Sequence, residues 1–267
     1  MLHYRVARAK RFPSDQTLRG IAAATTRLLA ADSVSSAKVG NRSATPRCDR
    51  VKRLLFCCAI LGLVTLSAKA QGNGWKQLFN GKNLHGWEHV GPGGFKVVDG
   101  MLESYGGMGL LWYTGQKFGN YQIRVVYEMR DKNDNSGVFI RIPIKPREAW
   151  MPVNYGYEVQ IDNDPAGETK AYHSTGCLYS ISKALAYPGK GSGQWNTMEI
   201  TLDGPHTLVY VNGAKVTDYT EGEPAPPKKF SFEPTRGIRP NEGYIGLQNH
   251  SNKDIVFFKE VAARPLM

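Results

Sequence analysis

Gly156-Tyr157-Glu158-Val159-Gln160-Ile161-Asp162 alternates without a break. Successive side chains of an extended strand point to opposite faces. Tyr157, Val159 and Ile161 therefore share one face, and Glu158, Gln160 and Asp162 share the other. Gly243-Tyr244-Ile245-Gly246-Leu247-Gln248-Asn249-His250 repeats the pattern, with Ile245 and Leu247 opposing Gly246, Gln248 and His250. Within Val138–Ile142, Phe139 and Arg141 oppose Val138, Ile140 and Ile142. Each such strand is expected to turn an oily face to a core. Solvated strand faces are usually rich in Lys, Thr and Ser. A face carrying Glu, Gln, Asp, Arg and His, with aromatics nearby, reads instead as a groove for a polar ligand.

Working outward, strand signals recur between turn residues. The pattern predicts strands over Phe95–Val98, Met101–Ser104, Gly109–Tyr113, Tyr121–Met129, Gly137–Ile142, Gly156–Ile161, Gly176–Tyr179, Asn196–Leu202, Thr207–Val211, Gly243–Gln248 and Ile255–Val261. Asp99-Gly100 and Asn212-Gly213 are hairpin turn pairs, because tight hairpins need positive φ and these residues tolerate it. No long stretch carries a helical period, no internal repeat is visible, and the Pro-rich segment Glu223–Lys229 reads as a surface loop. The expectation is one all-β domain over residues 71–267, a sandwich or jelly roll of antiparallel sheets.

The chain holds 34 Lys+Arg against 23 Asp+Glu, a net charge of +11. A uniform excess of that size would point to nucleic acid. Thirteen of the basic residues and only three of the acids lie in residues 1–70, so residues 71–267 carry just +1. A nucleic-acid partner is not expected. Lys52 and Arg53 precede the apolar run Leu54–Leu66, and Ser67-Ala68-Lys69-Ala70 supplies small residues before a cut after Ala70. A basic start, a short apolar core and an A-x-A site describe a secretory signal peptide over residues 51–70, with a secreted or periplasmic product. The run is short of the ~20 apolar residues a membrane span needs; an uncleaved anchor is the alternative. Residues 1–50 read as an extension, with Val51 as the start of the signal peptide, or else as an organellar targeting segment. Removing the leader leaves Cys177 as the single cysteine. It is read as a small packed side chain rather than a nucleophile.

The order of motifs resembles the 3-keto-disaccharide hydrolase domain family. The opening Trp75-Lys76-Gln77-Leu78-Phe79-Asn80-Gly81-Lys82-Asn83-Leu84-His85-Gly86-Trp87 carries the likeness first. Val97 to Leu102, Asn135-Ser136-Gly137-Val138 with Arg141, and the Gly156–Asp162 stretch follow. Gly176-Cys177-Leu178-Tyr179, Trp195-Asn196, Asn212-Gly213 and Gly243–His250 complete it. The likeness spans about residues 74–266. It implies a concanavalin A-like jelly roll with a concave carbohydrate groove, and action on glycosides oxidised to a ketone at C3.

That substrate class sets the chemistry. A C3 ketone acidifies the proton on C2, so a base can remove it and the C1 substituent leaves by elimination; water then adds back. The route needs a base poised near the working pH and a donor at the enolate oxygen. Glu158 and His250 are the candidate base and acid, and Arg141 the candidate oxyanion partner. Gln160, Asp162, Gln248, Asn135 and Glu128 are candidates for binding hydroxyls, and Tyr179, Trp195 and Trp112 for stacking on sugar rings. Trp75 and Trp87 are expected to pack the sandwich edge, while His85, His89 and His206 fall in loops. Two rival readings share the fold. In a laminarinase-type retaining glycosidase, Glu158, Gln160 and Asp162 would replace an E-x-D-x-E series. A carbohydrate-binding module would use the groove without turnover. Asp131, Asn133, Asp134 and Asn135 offer oxygen ligands that could hold Ca²⁺, though an Asp/Asn-rich turn has the same composition.

Overall fold

The structure is a computed structural model that describes residues 74–163 and 170–267. The signal-peptide and extension readings, residues 1–70, lie outside the described residues. In chain order the strands are β1 (Lys76–Gln77), β2 (Trp87–Val90), β3 (Gly94–Val98), β4 (Met101–Tyr105), β5 (Gly109–Tyr113), β6 (Tyr121–Met129) and β7 (Ser136–Ile142). After a short helix α1 (Met151–Tyr155) come β8 (Tyr157–Ile161) and helix α2 (Lys170–His173). Then follow β9 (Asn196–Asp203), β10 (His206–Val211), β11 (Ala214–Thr220), β12 (Tyr244–Asn249) and β13 (Val256–Pro265).

These strands form two antiparallel sheets. The larger runs β11-β10-β9-β6-β13-β4-β3, with β1 also on β13, and the smaller runs β2-β5-β12-β7-β8. The alternating sequence of the larger sheet explains its role. In β9, Asn196, Met198, Ile200 and Leu202 are buried while Glu199 and Asp203 are exposed. The inner side chains meet those of the smaller sheet in one core that includes Leu102, Tyr127, Val138, Val159, Cys177, Leu247 and Phe258. Each large apolar side chain buried there contributes roughly 1.5–3 kcal/mol. Cys177 is fully buried in that core, as its alternating context implied. Trp87 also packs there, its indole N–H donating to the Leu78 carbonyl at 2.9 Å.

The predicted hairpins form. Asp99 and Asn212 have φ of 50°, and Gly100 and Gly213 follow at 79° and 83°, the double positive φ of a primed turn. Three strands lack a sequence forecast: β1, β2 and β11. One forecast strand is absent. Gly176–Tyr179 docks on the edge of β8 through Gln160 N–H to Cys177 O (3.0 Å) and Tyr179 N–H to Glu158 O (2.9 Å). Tight turns on either side confine it to a single bridge between Val159 and Leu178. His89 and His206 lie on β2 and β10 rather than in loops, and His206 pairs with Asp218 at 2.7 Å.

The smaller sheet is buried on both faces along β5, β7 and β8. Its inner face meets the core. Part of its outer face is roofed by α1, whose Met151 and Val153 pack on Leu110, Trp112, Phe139 and Ile142. Pro152 suits the start of that helix, where no amide hydrogen is needed. The uncovered remainder of the same face is where the site lies.

Candidate functional site

The register of the smaller sheet builds the site. Trp112, Gly246, Phe139 and Glu158 stand in one row across β5, β12, β7 and β8. One step on, the row reads Leu110, Gln248, Gly137 and Gln160. The apolar members sit under α1, and the polar members open into a cleft of about 650 Å³. Asn135, Glu158, Gln160, His173, Tyr179, Gln248 and His250 line its polar part. Six of these seven are among the residues expected from sequence; His173 is not.

Gly137 gives Glu158 its position. A Cβ built on Gly137 would lie 2.6 Å from Glu158 Cγ and 2.7 Å from Oε1. The carboxyl therefore leans across the bare backbone of β7 toward β12, where Gln248 hydrogen-bonds it. Burial pushes the Glu158 pKa up to about 8, against the pull of His250 and the Gln248 hydrogen bond. A carboxyl sealed from water resists ionising, and when ionised it is a strong base.

His250 follows β12 and is oriented by a carboxylate. Its Nδ1 lies 2.8 Å from Asp254 Oδ2, which also accepts the Ser251 hydroxyl at 2.6 Å. Asp254 Oδ1 accepts the Asn135 N–H at 3.2 Å. Burial of Asp254 is outweighed by these hydrogen bonds, so its pKa is lowered. An ionised Asp254 requires Nδ1 to carry a proton, which leaves Nε2 for a ligand. The hydrogen bond to Asp254 raises the His250 pKa, with burial opposing and Glu158 adding attraction.

Two amides complete the floor. Gln160 Nε2 donates to Asn135 Oδ1 at 3.3 Å, and Asn135 Nδ2 points to Asp162 Oδ2 at 3.5 Å. The Oε1 atoms of Gln160 and Gln248 are buried with no partner. Buried acceptors are nearly always satisfied, so this pair is suited to the hydroxyls of a ligand. His173, on α2, places its ring 4.7 Å from that of Tyr179 and its Nε2 3.1 Å from Ser180 Oγ. Burial lowers its pKa. The alternation argument missed His173 because α2 is too short to leave a periodic signal. Asp254 was missed because it acts from a turn.

Five expected site residues lie elsewhere. Arg141 is fully buried and does not reach the cleft. Tyr244 pairs with Ile142 and Gly246 with Phe139, so Ile140 and Arg141 together face Ile245 across a bulge. Arg141 adopts a φ of 54° there, and the bulge reverses the alternation. Its guanidinium turns inward to Pro240 O, Gly204 O, His206 O and Thr207 Oγ1 at 2.8–3.2 Å, and Nε lies 3.9 Å from Glu221. Ile142 is carried to the outer face by the same bulge. Trp112 faces outward but is roofed, 1% exposed with its ring 5.0 Å from Tyr244, so it offers no face to a sugar. Glu128 belongs to β6 of the larger sheet, between the core residues Tyr127 and Met129, and faces away from the interior. Trp195 precedes β9 in that sheet and lies under Lys259 Nζ at 4.1 Å. Asp162 sits at the end of β8 beside a separate shallow depression with Asn163 and Thr175.

The acidic loop does not fit Ca²⁺. Asp134 Oδ2 and Oδ1 accept the N–H groups of Asp131 and Ile255, and Asp131 Oδ1 accepts from Asn133. Its oxygens close a turn. Among the described residues no group of three or more His, Cys, Asp or Glu side chains is arranged to hold a metal ion. Also among them, no helix is long and apolar enough to cross a membrane.

Two antiparallel sheets with a ligand-sized cleft on the smaller one define a concanavalin A-like jelly roll. The chain belongs to the 3-keto-alpha-glucoside-1,2-lyase-like domain family, whose model matches residues 74–264. Among solved structures it is similar to two candidate glycosyl hydrolases of Parabacteroides distasonis ATCC 8503. One is 24% identical with a TM-score of 0.62, the match covering 76% of this chain and 98% of that one. The other is 27% identical with a TM-score of 0.60, covering 73% and 100%. A Bacillus subtilis protein of unknown function with a galectin-like fold is 12% identical with a TM-score of 0.54, covering 72% and 94%. No curated protein matches the chain.

Proposed function

We propose that the protein is a carbohydrate-active enzyme that cleaves glycosides carrying a ketone at C3, by elimination across C1–C2 followed by hydration. The observation that carries this reading is a buried carboxyl in the cleft lining, Glu158, lying over Gly137 beside the His250–Asp254 pair. The family's name, a 1,2-lyase acting on 3-keto-α-glucosides, supports the same bond change. Ionised Glu158 removes the C2 proton, and the electron pair enters the enolate of the C3 ketone. Arg141 does not supply a donor to that oxygen, and the free Oε1 atoms of Gln160 and Gln248 accept from the sugar's hydroxyls instead. As the enolate collapses, the C1–O bond breaks and His250 Nε2–H protonates the departing oxygen. Water adding to C1, with a proton returned to C2, completes a net hydrolysis.

A retaining glycosidase needs two carboxyls ~5–5.5 Å apart. Here the middle position of the series is Gln160, and Asp162 lies outside the cleft lining. That arrangement favours a lone base over a carboxylate pair. The leader's composition supports export as part of the same proposal. N-terminal sequencing of exported protein should read Gln71-Gly72-Asn73, and an earlier N-terminus would contradict it.

The deciding experiment incubates the protein with a 3-keto-disaccharide and with its unoxidised parent. Cleavage of the keto sugar alone, with solvent deuterium appearing at C2, is expected. Cleavage of the parent would establish ordinary glycosidase chemistry instead. Saturable binding without turnover of either would establish a binding module.

A further inference from the structure

The cleft has a second half that the elimination chemistry leaves unused. Met108, Trp150, Val153, Phe230 and Phe232 line it. Trp150, Phe230 and Phe232 are each about half exposed, at 47%, 48% and 50%, and large rings are not left in water without cause when they share one rim. The two Phe rings stack in parallel, 5.1 Å apart with an interplanar angle of 5°. Their loop is braced. Glu233 accepts the Lys229 N–H and the Arg236 guanidinium, at 3.0 and 2.9 Å. The Arg239 guanidinium donates to the carbonyls of Gly156, Gly237, Asn154 and Thr235. The rings are thus held in place before any ligand arrives, which lowers the cost of ordering them on binding.

We propose that Trp150, Phe230 and Phe232 form a leaving-group subsite for a planar aromatic aglycone, so that aryl 3-keto-glycosides are preferred over 3-keto-disaccharides. The inference rests on the keto-glycoside reading for the reaction but not for the binding. A departing sugar would carry hydroxyls needing partners along its edge. The five side chains of this wall offer one N–H, on Trp150, and no acceptor oxygen. A flat aryl ring asks for faces, and faces are what the wall supplies. The volume of about 650 Å³ is in the range of sites that take drug-sized ligands, so one sugar ring does not fill it.

The test compares the wild-type protein with the Phe230→Ala/Phe232→Ala double variant, whose positions are half exposed and whose thermal melt checks its folding. Isothermal titration with unoxidised phenyl α-glucoside and methyl α-glucoside measures the subsite without turnover. Wild type should bind the phenyl compound about tenfold more tightly, and the variant should lose that preference. Equal affinity in wild type, or a preference that survives the double substitution, overturns the subsite. Turnover of phenyl 3-keto-α-glucoside should fall about tenfold in the variant, with a 3-keto-disaccharide little changed. An equal fall for both overturns it too. If neither keto sugar is cleaved by wild type, the reaction assignment fails and the titration still decides the subsite.

Discussion

Two buried charged clusters lie on opposite faces of one strand and have opposite fates. On the inner side, Tyr157 donates to Glu221 Oε2 at 2.8 Å, Arg239 N–H donates to the same oxygen at 2.9 Å, and Arg141 approaches from the neighbouring strand β7. On the outer side, Glu158 meets Gln248, His250 and the unpaired amide oxygens of the floor. Both clusters bury ionisable groups. The inner one spends the terminal guanidinium nitrogens of Arg141 on carbonyls and Thr207, holds Arg141 Nε 3.9 Å from Glu221, and lies away from the cleft that Glu158 lines. The outer one keeps a strong base, an oriented imidazole and two acceptors facing a cleft. Burial and charge alone therefore do not mark a site; unspent groups beside a cavity do.

The largest difference between the clusters should come from Glu158→Gln. Turnover of a 3-keto-glycoside is expected to fall about 10²–10⁴-fold with the fold intact; near-normal turnover would remove Glu158 from the role of base. In the parent, the rate should rise with pH through about 8 as Glu158 ionises, and fall at higher pH as His250 loses the proton it gives the leaving group. Stability should move opposite to the rising limb. The folded state holds the Glu158 proton up to about pH 8, whereas the unfolded chain releases it in the ordinary carboxylate range. Stability is thus lost as pH rises between those limits. The Gln variant should lack that slope and melt higher than the parent at pH 9; a lower melt there would contradict the raised pKa.

Arg141→Leu attacks the inner cluster. Removing one partner of a buried pair costs about 3–5 kcal/mol, or about 6–20 °C in Tm for a domain of this size. Three carbonyls also lose their donor. The activity that remains in folded protein at low temperature should keep the parental pH profile. A changed profile without destabilisation would return Arg141 to the site.

Gly137→Ala tests the placement of the base. The new methyl would occupy the space of the Glu158 side chain, which must swing away. A displacement of about 1 Å can cost up to ~10² in rate, and thermal stability should change far less than for Arg141→Leu. Unchanged kinetics would mean that Glu158 does not need the bare backbone.

Much of this contrast was legible in the sequence, and its limits have particular causes. Alternation placed Glu158 and Gln160 on one face and Tyr157 on the other, because β8 is regular along its length. The same reasoning failed for Arg141, since one extra residue in β7 flips every later side chain. It failed for Trp112 in a different way. The face was right, but a five-residue helix roofs it, and a helix that short leaves no period to read. Phe230 and Phe232 lie beyond the Pro-rich stretch that read as a surface loop, where composition says nothing about what the loop leans over.

The smallest expected effect is also the most discriminating. Tyr157→Phe removes one hydroxyl from the inner cluster. Glu221 Oε2 keeps the Arg239 N–H, so the loss should be near the low end for a buried hydrogen bond, about 1 kcal/mol. Tyr157 and Glu158 are consecutive residues, yet alternation sends them to separate clusters. The Phe variant should therefore melt slightly lower while its rate and its pH limb at about 8 stay parental, the reverse of Glu158→Gln. A shifted limb in Tyr157→Phe would mean that charge on the inner face is felt at the base through the strand, and the two clusters would have to be treated as one.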